Sequence, residues 1–474
     1  MAQRCRIRMP KKEGVIMKLS FENLGALDHG ELELAELSIL CGHNNTGKTS
    51  VTYALYCLLQ AWRSLMRIDL QVELHTLSQK GVVQIDVDAK IVQAWPAISQ
   101  QVLTDLAQML PTMMASHAAL FAHTRLDWQV SIDDQWQRDA FRQELRNGQG
   151  NLLIGMSKPA NSPVLEISAT NLSKELIGSH GIHDFLSDAL VNLVLTNTMP
   201  DVFIASSERT GASLFHRDLA QSHLFGYGTN VLHQERIPYG AVQKKGYPRP
   251  VDDNVRFTHA LPANDQDRGP LAQAHPELLD AFAIIAGGQY ATNGAGVTWF
   301  QPANTELKLG LAETSSAVRS LLIIWYWLKY QARIGSMLMI DEPELNLHPD
   351  NQRRFARFLA RLVNVGVRVF ITTHSDTIIR EFNTLLMLSR NLPHYADVRK
   401  KHGYAQAECL QVAQVVLYAT GDVKCDTDAV KAKRARATLI KVTPDPQLGL
   451  DVQTFDQTII AMNQMQDEIR YGAE

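Results

Sequence analysis

From Met17 the chain alternates: Met17, Leu19 and Phe21 fall on one face, Lys18, Ser20 and Glu22 on the other. Leu32 and Leu34 resume the alternation after Gly25 and Gly30, which predicts an antiparallel hairpin. Leu37–Cys41 reads as a short apolar strand, a glycine-rich turn follows, and Ser50–Leu65 sets Leu55, Leu58, Leu59 and Trp62 at helical spacing. Between Met66 and Pro200 strand-like pieces (Val82–Val87, Trp128–Ile132) mix with helical ones such as Ile98–Met114. No period repeats there and no heptad persists, which argues against a long coiled coil. Asp201–Ala205 is another buried strand, and Arg217–Asp265, rich in Gly, Pro and His, predicts loops. A helix over Pro276–Ile285, then Gly287 and Gly288 and short strands to Leu309, come next. The pattern sharpens again with a helix over Ser316–Ala332, a fully apolar strand at Met337–Ile340, an amphipathic helix over Asp350–Asn364 stopped at Gly366, and a strand at Val367–Thr372. Val415–Ala419 is strand-like and Thr454–Arg470 helical. Strands alternating with helices specify a mostly parallel α/β sheet.

Composition is that of a globular chain: 45% hydrophobic and 20% charged residues exclude a disordered or fibrous class, and 474 residues suggest roughly three domains. Basic and acidic side chains number 46 and 49, for a net charge of -3, so bulk electrostatics does not carry this chain onto nucleic acid. Any polyanion is met by a local patch or by backbone dipoles. Cys5, Cys41, Cys57, Cys409 and Cys425 include no C-x-x-C pair and fit a reducing cytoplasm better than a disulfide framework. The most apolar segment, Ser320–Leu328 between Arg319 and Lys329, is far shorter than the about 20 residues a bilayer needs. The basic start lacks the apolar run of a secretory signal, and Met17 is a candidate native start with residues 1–16 an extension.

Gly42-His43-Asn44-Asn45-Thr46-Gly47-Lys48-Thr49 satisfies G-x-x-x-x-G-K-[ST] between a predicted strand and a predicted helix that continues through Ser50. The two glycines let backbone N–H groups turn inward, and the helix N-terminus adds its positive end. Lys48 would neutralise ATP phosphates and Thr49 would ligate Mg²⁺. A chance match in a chain of this length has a probability of about one or two per cent.

Met337-Leu338-Met339-Ile340-Asp341-Glu342-Pro343 is an apolar strand ending in two carboxylates; beside a phosphate loop Asp341 can hold the metal and Glu342 can polarise an attacking water. Two adjacent acids also suit a plain strand-to-helix turn. Val369-Phe370-Ile371-Thr372-Thr373-His374 runs into an imidazole able to hydrogen-bond a γ-phosphate, although a lone His after a strand is commonly a surface or capping residue. Glu313-Thr314-Ser315-Ser316-Ala317-Val318-Arg319 opens a strongly apolar helix; its hydroxyls suit a phosphate and equally an N-cap.

Taken in order, these segments resemble ABC-type ATPases, specifically the RecF-like and overcoming-lysogenization-defect-like group. ETSSAVRSLL, MLMIDEPELNLHPDNQ and VFITTHSDTIIREFNTLLML are similar to its signature, Walker B with D-loop, and switch-histidine regions, and FIASSERTG (Phe203 to Gly211) to its strand-plus-Arg segment. The resemblance covers 15–65 and 200–390 and is thin in 66–200. It implies an α/β ABC-type head with a mixed central sheet, no long coiled coil, and four parts: 1–65, the N-terminal half of the head; 66–200, an inserted α+β lobe; 201–390, the C-terminal half; 391–474, an α/β tail. It further implies Gly42–Thr49 as Walker A, Asp341 for the metal, Glu342 as catalytic carboxylate and His374 as the switch. Ser315 and Ser316 would cap the γ-phosphate on the opposite subunit, Leu345–Pro349 would form the D-loop, and Gln221 is the candidate Q-loop glutamine. Ala317 departs from the glycine usual after the serines.

Within this group, anti-phage systems such as Septu and PARIS pair the ATPase with a separate nuclease, whereas overcoming-lysogenization-defect nucleases carry a Toprim metal domain after it. The residues after His374 offer Asp422, Asp426, Asp428, Asp445 and Asp451 without a Toprim pattern, so effector chemistry is expected in a partner. The expected partners are a second copy of the chain and a separate nuclease or toxin, with no membrane. Nucleic acid is a candidate further partner through Arg353, Arg354, Arg357 and Arg361, or Lys431, Lys433, Arg434 and Arg436, both of which read first as solvated charge. His216, His223 and His233 match no metal spacing. The competing readings are a RecF-type DNA-repair ATPase and a plain ATP-binding interaction module.

Overall fold

The computed structural model describes residues 17–170, 180–215, 246–261, 268–292, 297–390, 392, 394–422, 437–442 and 465–466. Strands β1 (Met17–Leu24) and β2 (Leu27–Leu34) form the expected antiparallel hairpin, and β3 (Leu37–Cys41) leads into α1 (Lys48–Leu65). After α2 (Gln71–Lys80) and β4 (Val82–Asp86), α3 (Trp95–Met113) leads to β5 (Arg125–Val130). Next come β6 (Phe141–Arg146), β7 (Leu152–Lys158), β8 (Val164–Ala169), α4 (His180–Leu195), β9 (Val202–Ala205), α5 (Arg249–His259), α6 (Pro270–Ala274) and α7 (Glu277–Ala286). The chain continues through β10 (Gly288–Thr292), β11 (Thr298–Pro302), β12 (Leu309–Gly310), α8 (Ser316–Tyr326), β13 (Met337–Asp341), α9 (Pro349–Asn364), β14 (Arg368–Thr373), α10 (Asp376–Met387) and α11 (Tyr395–His402). Last come β15 (Val415–Asp422) and β16 (Ala437–Val442).

Among the described residues nine strands make one mixed sheet, in the order β5-β1-β2-β16-β15-β3-β14-β13-β9. From β15 to β9 neighbouring strands are parallel, and in this half Cys41, Thr373 and Asp341 end side by side. The other end is antiparallel, with β5 added to β1. The 66–200 segment thus gives one strand to this sheet while β4-β8-β7-β6 form a separate four-stranded sheet, and the segment after 391 gives two strands between β2 and β3.

Parallel strands buried on both faces read as continuous apolar runs whose alternate residues serve two cores. Met337, Met339, Phe370 and Leu40 enter the core shared with α1, α3 and α4. Leu338, Ile340, Val369, Ile371 and Ile39 enter the core shared with α7, α8, α9 and α10. In the first core Trp128 of β5 packs edge-on against Trp62 of α1 and Trp95 of α3, with centroids 6.5 and 5.3 Å apart. This is the expected α/β class: helices on both faces of a mixed sheet, with no long coiled coil among the described residues.

Two expectations need correction. The stretch Arg217–Asp265 is not all loop: α5 occupies Arg249–His259, with Pro at its first turn. Its buried face includes Val251, Asn254, Val255 and Thr258, and the two polar members of that face hid its apolar spacing. The helix opened at Ser316 changes winding at Trp327, where a π-turn over Trp327–Gln331 replaces the last α-helical turns. The expected Thr454–Arg470 helix falls almost wholly outside the described residues.

Candidate nucleotide site

The loop between β3 and α1 curls because its backbone takes conformations that suit glycine. Gly42 has φ 144° and Gly47 φ 93°, and a Cβ on Gly42 would lie 2.0 Å from Thr420 Oγ1. His43, Asn44 and Asn45 are exposed, Asn45 at φ 63°, and Thr46 donates to His43 O at 2.7 Å and meets the Thr420 hydroxyl. Lys48, buried at the first position of α1, folds back to donate to Gly42 O at 2.8 Å and His43 O at 2.7 Å. Burial pulls its ammonium below the usual lysine range, against the opposing pull of Glu342, Asp341 and Glu344. Thr49 is exposed and Ser50 half-buried on the first turn of α1.

Two strands away in the sheet, Asp341 closes β13 with its side chain buried. Thr372 of β14 donates its hydroxyl to Asp341 Oδ1, while Oδ2 has no hydrogen-bond partner among the described residues. Burial pushes this carboxyl up to about 6, opposed by the Thr372 hydrogen bond and reinforced by the Glu342 charge. A buried carboxylate oxygen without a partner among the described residues, on a group whose charge burial leaves uncompensated, suits a hard divalent cation, and Thr49, exposed, offers a hydroxyl as a second oxygen donor of the right kind.

Glu342 follows with φ 52°, a left-handed conformation unusual for this residue type. Its amide donates to Thr372 O and Thr372 Oγ1, both at 3.1 Å. Its carboxylate lies 3.6 Å from His374 Nδ1, and that nitrogen lies 3.2 Å from Glu344 Oε1. Glu344 is the residue that sequence reasoning passed over: buried, it accepts from His374 N at 2.8 Å and Thr373 Oγ1 at 2.9 Å and so fixes the turn that presents the imidazole. Arg209 was legible only as part of a segment. It is fully buried and donates to Ser206 O at 2.9 Å, Asp341 O at 2.7 Å, Glu342 O at 2.8 Å and Ser320 O at 3.1 Å. No spacing rule in the sequence marks either residue.

The structure thus brings Lys48, Asp341, Glu342 and His374 to one edge of the parallel strands, with Asp341, Glu342 and Glu344 acting electrostatically on Lys48. It does not bring Ser315 and Ser316 onto the same loop: Ser315 caps α8 by accepting from Val318 N at 3.3 Å, and Ser316 accepts from Arg319 Nη2 at 3.3 Å. The Leu345–Pro349 turn carries Asn346 at φ 62°, bonded to Thr210 Oγ1 at 3.4 Å, and ends where His348 caps α9. Gln221, the 431–436 cluster and the three histidines lie outside the described residues. Three of the four α9 arginines are engaged: Arg353 with Glu381 at 2.8 Å, Arg357 with Glu408 at 2.8 Å and Arg361 with Glu408 at 2.6 Å. Arg354 is exposed.

The family described as AAA ATPase domain matches residues 15–118 and 253–379. No curated protein sequence matches the chain. Similar solved structures include the SmcHead bound to the C-winged helix domain of ScpA, at 9% identity and TM-score 0.33 over 90% of this chain and 97% of that one. Another is the SMC head domain from Thermotoga maritima, at 8% identity and TM-score 0.32 over 90% and 98%. The Smc head domain with an extended coiled coil, bound to the C-terminal domain of ScpA derived from Pyrococcus furiosus, matches at 8% identity and TM-score 0.33 over 95% and 98%. The ATPase-domain match contains both the Gly42–Thr49 loop and the Asp341–Glu342 strand end, the two segments whose geometry forms the candidate P-loop nucleotide site.

Proposed function

We propose that the chain binds and hydrolyses ATP with Mg²⁺ as an ABC-type ATPase working as a homodimer or higher even-numbered oligomer. The observation that carries this is the gathering of Lys48, Asp341, Glu342 and His374 at the carboxyl edge of β3, β13 and β14. In this reading Gly42–Ser50 cradles the phosphates with backbone N–H groups, and Lys48 exchanges its carbonyl partners for phosphate oxygens. Thr49 and Asp341 hold the metal, which when bound neutralises charge developing on the transferred phosphoryl group. Glu342 takes the proton of the attacking water, and His374, held by Glu344, donates to the γ-phosphate. Ser315 and Ser316 of one subunit complete the site of the other, so each subunit offers half of two sites.

The chain's role, in the same reading, is a cytoplasmic sensor and scaffold of an anti-phage defence system, controlling a separate nuclease or toxin through ATP-dependent dimerisation. Two things support this: the segments shared with that group, and the position of β15 and β16, which work inside the ATPase sheet. Residues 1–65 and 201–390 then act as the two halves of the head, with 66–200 inserted between them in sequence and 391–474 following as a tail that lends the head's sheet β15 and β16. No helix among the described residues is long and apolar enough to cross a membrane.

The test is nucleotide binding, turnover and light scattering of wild type, Lys48→Ala and Glu342→Gln. Lys48→Ala is expected to lose ATP affinity, and Glu342→Gln to bind ATP, stay dimeric and lose turnover by about 10²–10⁴-fold. Equal affinity in wild type and Lys48→Ala would sink the site. Co-purification with a nuclease, and growth arrest only when both are expressed, supports the defence role; salt-sensitive, ATP-dependent DNA binding by this chain alone replaces it with the repair reading.

A further inference from the structure

We propose that Arg209 is a positioning residue that ties the carboxylate turn of one composite ATP site to the helix that completes the other, an inference that rests on the dimer reading above. The residue is 2% exposed, and among the described residues its hydrogen bonds go to main-chain oxygens from three parts of the chain rather than to a carboxylate. These are Ser206 in its own turn, Asp341 and Glu342 at the end of β13, and Ser320 in the second turn of α8. The guanidinium is planar and its five donors form a rigid fork, so the relative positions of the carbonyls it joins are fixed with it.

Glu342 is clamped from both sides. Thr372 of β14 holds its amide and Arg209 holds its carbonyl, which keeps the residue in the left-handed turn that aims its carboxylate toward His374. Ser320 lies one helical turn beyond Ser315 and Ser316, on the helix those serines open. The turn that carries Arg209 also reaches the Leu345–Pro349 segment through Thr210 and Asn346. Displacement of α8 as its serines engage the partner's nucleotide therefore pulls on the Ser320 carbonyl, the guanidinium and the Glu342 carbonyl together. No hydrogen bond joins Arg209 to the Gly42–Thr49 loop among the described residues, so the link bears on turnover and not on nucleotide capture.

Arg209→Lys in the full chain tests this, because one ammonium keeps the charge but cannot hold three separated segments in a fixed plane. The measurements are affinity for a fluorescent ATP analogue, kcat and KM, and the Hill coefficient for ATP. The expected result is affinity within twofold of wild type, kcat lower by at least about 30-fold, and a Hill coefficient falling from above 1 to 1. Unchanged kcat and Hill coefficient, a non-cooperative wild type, or loss of kcat in step with loss of affinity overturns the proposal. If the variant does not fold, amide hydrogen exchange of wild type with a non-hydrolysable ATP analogue decides. Protection must then change together at 316–322 and 341–346, and a change at only one of them overturns the link. Failure of the underlying reading looks different: wild type then binds ATP no better than Lys48→Ala, or stays monomeric with it.

Discussion

At the carboxyl edge of the sheet a guanidinium is held by main-chain oxygens alone, whereas on the outer face of α9 two guanidiniums share a single carboxylate. Glu408 accepts from Arg361 through Oε1 and from Arg357 and the Ala405 amide through Oε2, so both of its oxygens are occupied within the chain. Burial alone would push Glu408 up, but these hydrogen bonds outweigh it and hold the carboxyl below the usual range. At the sheet edge the opposite holds: Asp341 Oδ2 and Glu344 Oε2 are buried without partners among the described residues, and Glu342 sits in a left-handed turn. Charges that find their partners inside the fold contribute stability. Charges that the fold gathers and leaves incomplete cost stability and are poised for a ligand.

The largest expected effect is on the satisfied face. Glu408→Ala leaves Arg357 and Arg361 without their shared partner and should cost about 3 kcal/mol in urea unfolding, with nucleotide affinity unchanged. Glu408→Gln keeps the shape and should lose less. Loss of nucleotide affinity in Glu408→Ala would show that the two regions are not separate. Acidification has the matching sign, since the stability from a lowered carboxyl pKa is present above its ordinary range and disappears as pH falls through the folded value.

Asp341→Asn should do the reverse. The Asp341 carboxyl is raised by burial to about 6, so at pH 7.5 the apo protein carries an ionised buried group at a cost of about 1–3 kcal/mol. The variant replaces that charge with a neutral group and is expected to be more stable by that order, while losing the Mg²⁺ dependence of ATP binding. As pH falls below about 6 the wild-type carboxyl takes up its proton in the folded state, its cost disappears, and the difference narrows. A variant less stable than wild type at pH 7.5 would show that the charge is already compensated within the fold.

Legibility in the sequence follows the same division. Strands buried on both faces announce themselves, as Leu37–Cys41 and Met337–Asp341 do, because every position but one in each, Ser38 and the terminal Asp341, is apolar. The phosphate loop is legible because its chemistry needs particular residues at particular spacing. α5 is hidden because Asn254 on its buried face works as a connector: its Oδ1 accepts from Ser206 N at 2.9 Å and its Nδ2 donates to Ile204 O at 2.6 Å. Arg209 is hidden because what it holds is main chain, which carries no residue-type signal at its partners, and Glu344 because the Thr373 hydroxyl and His374 amide it accepts from lie on another strand, about thirty positions away. The arginines of α9 mislead in the other direction. Their density suggests a surface for polyanions, yet two of them close onto a glutamate about fifty positions away that no local pattern connects to them.

The smallest expected effect bears on backbone strain alone. Glu342 holds φ 52°, where a side chain is disfavoured and glycine is not, so Glu342→Gly removes the strain and should stabilise the apo protein by about 1 kcal/mol while abolishing turnover. Part of any gain comes from a second source, because the Glu342 charge also pushes the Asp341 carboxyl up. Glu342→Gln separates the two, since it removes the charge and keeps the left-handed side chain. Thermal unfolding at pH 7.5 should therefore rank glycine above glutamine and glutamine above wild type. If glycine ranks at or below glutamine, the turn is not strained, and the cost of the site lies entirely in its charges.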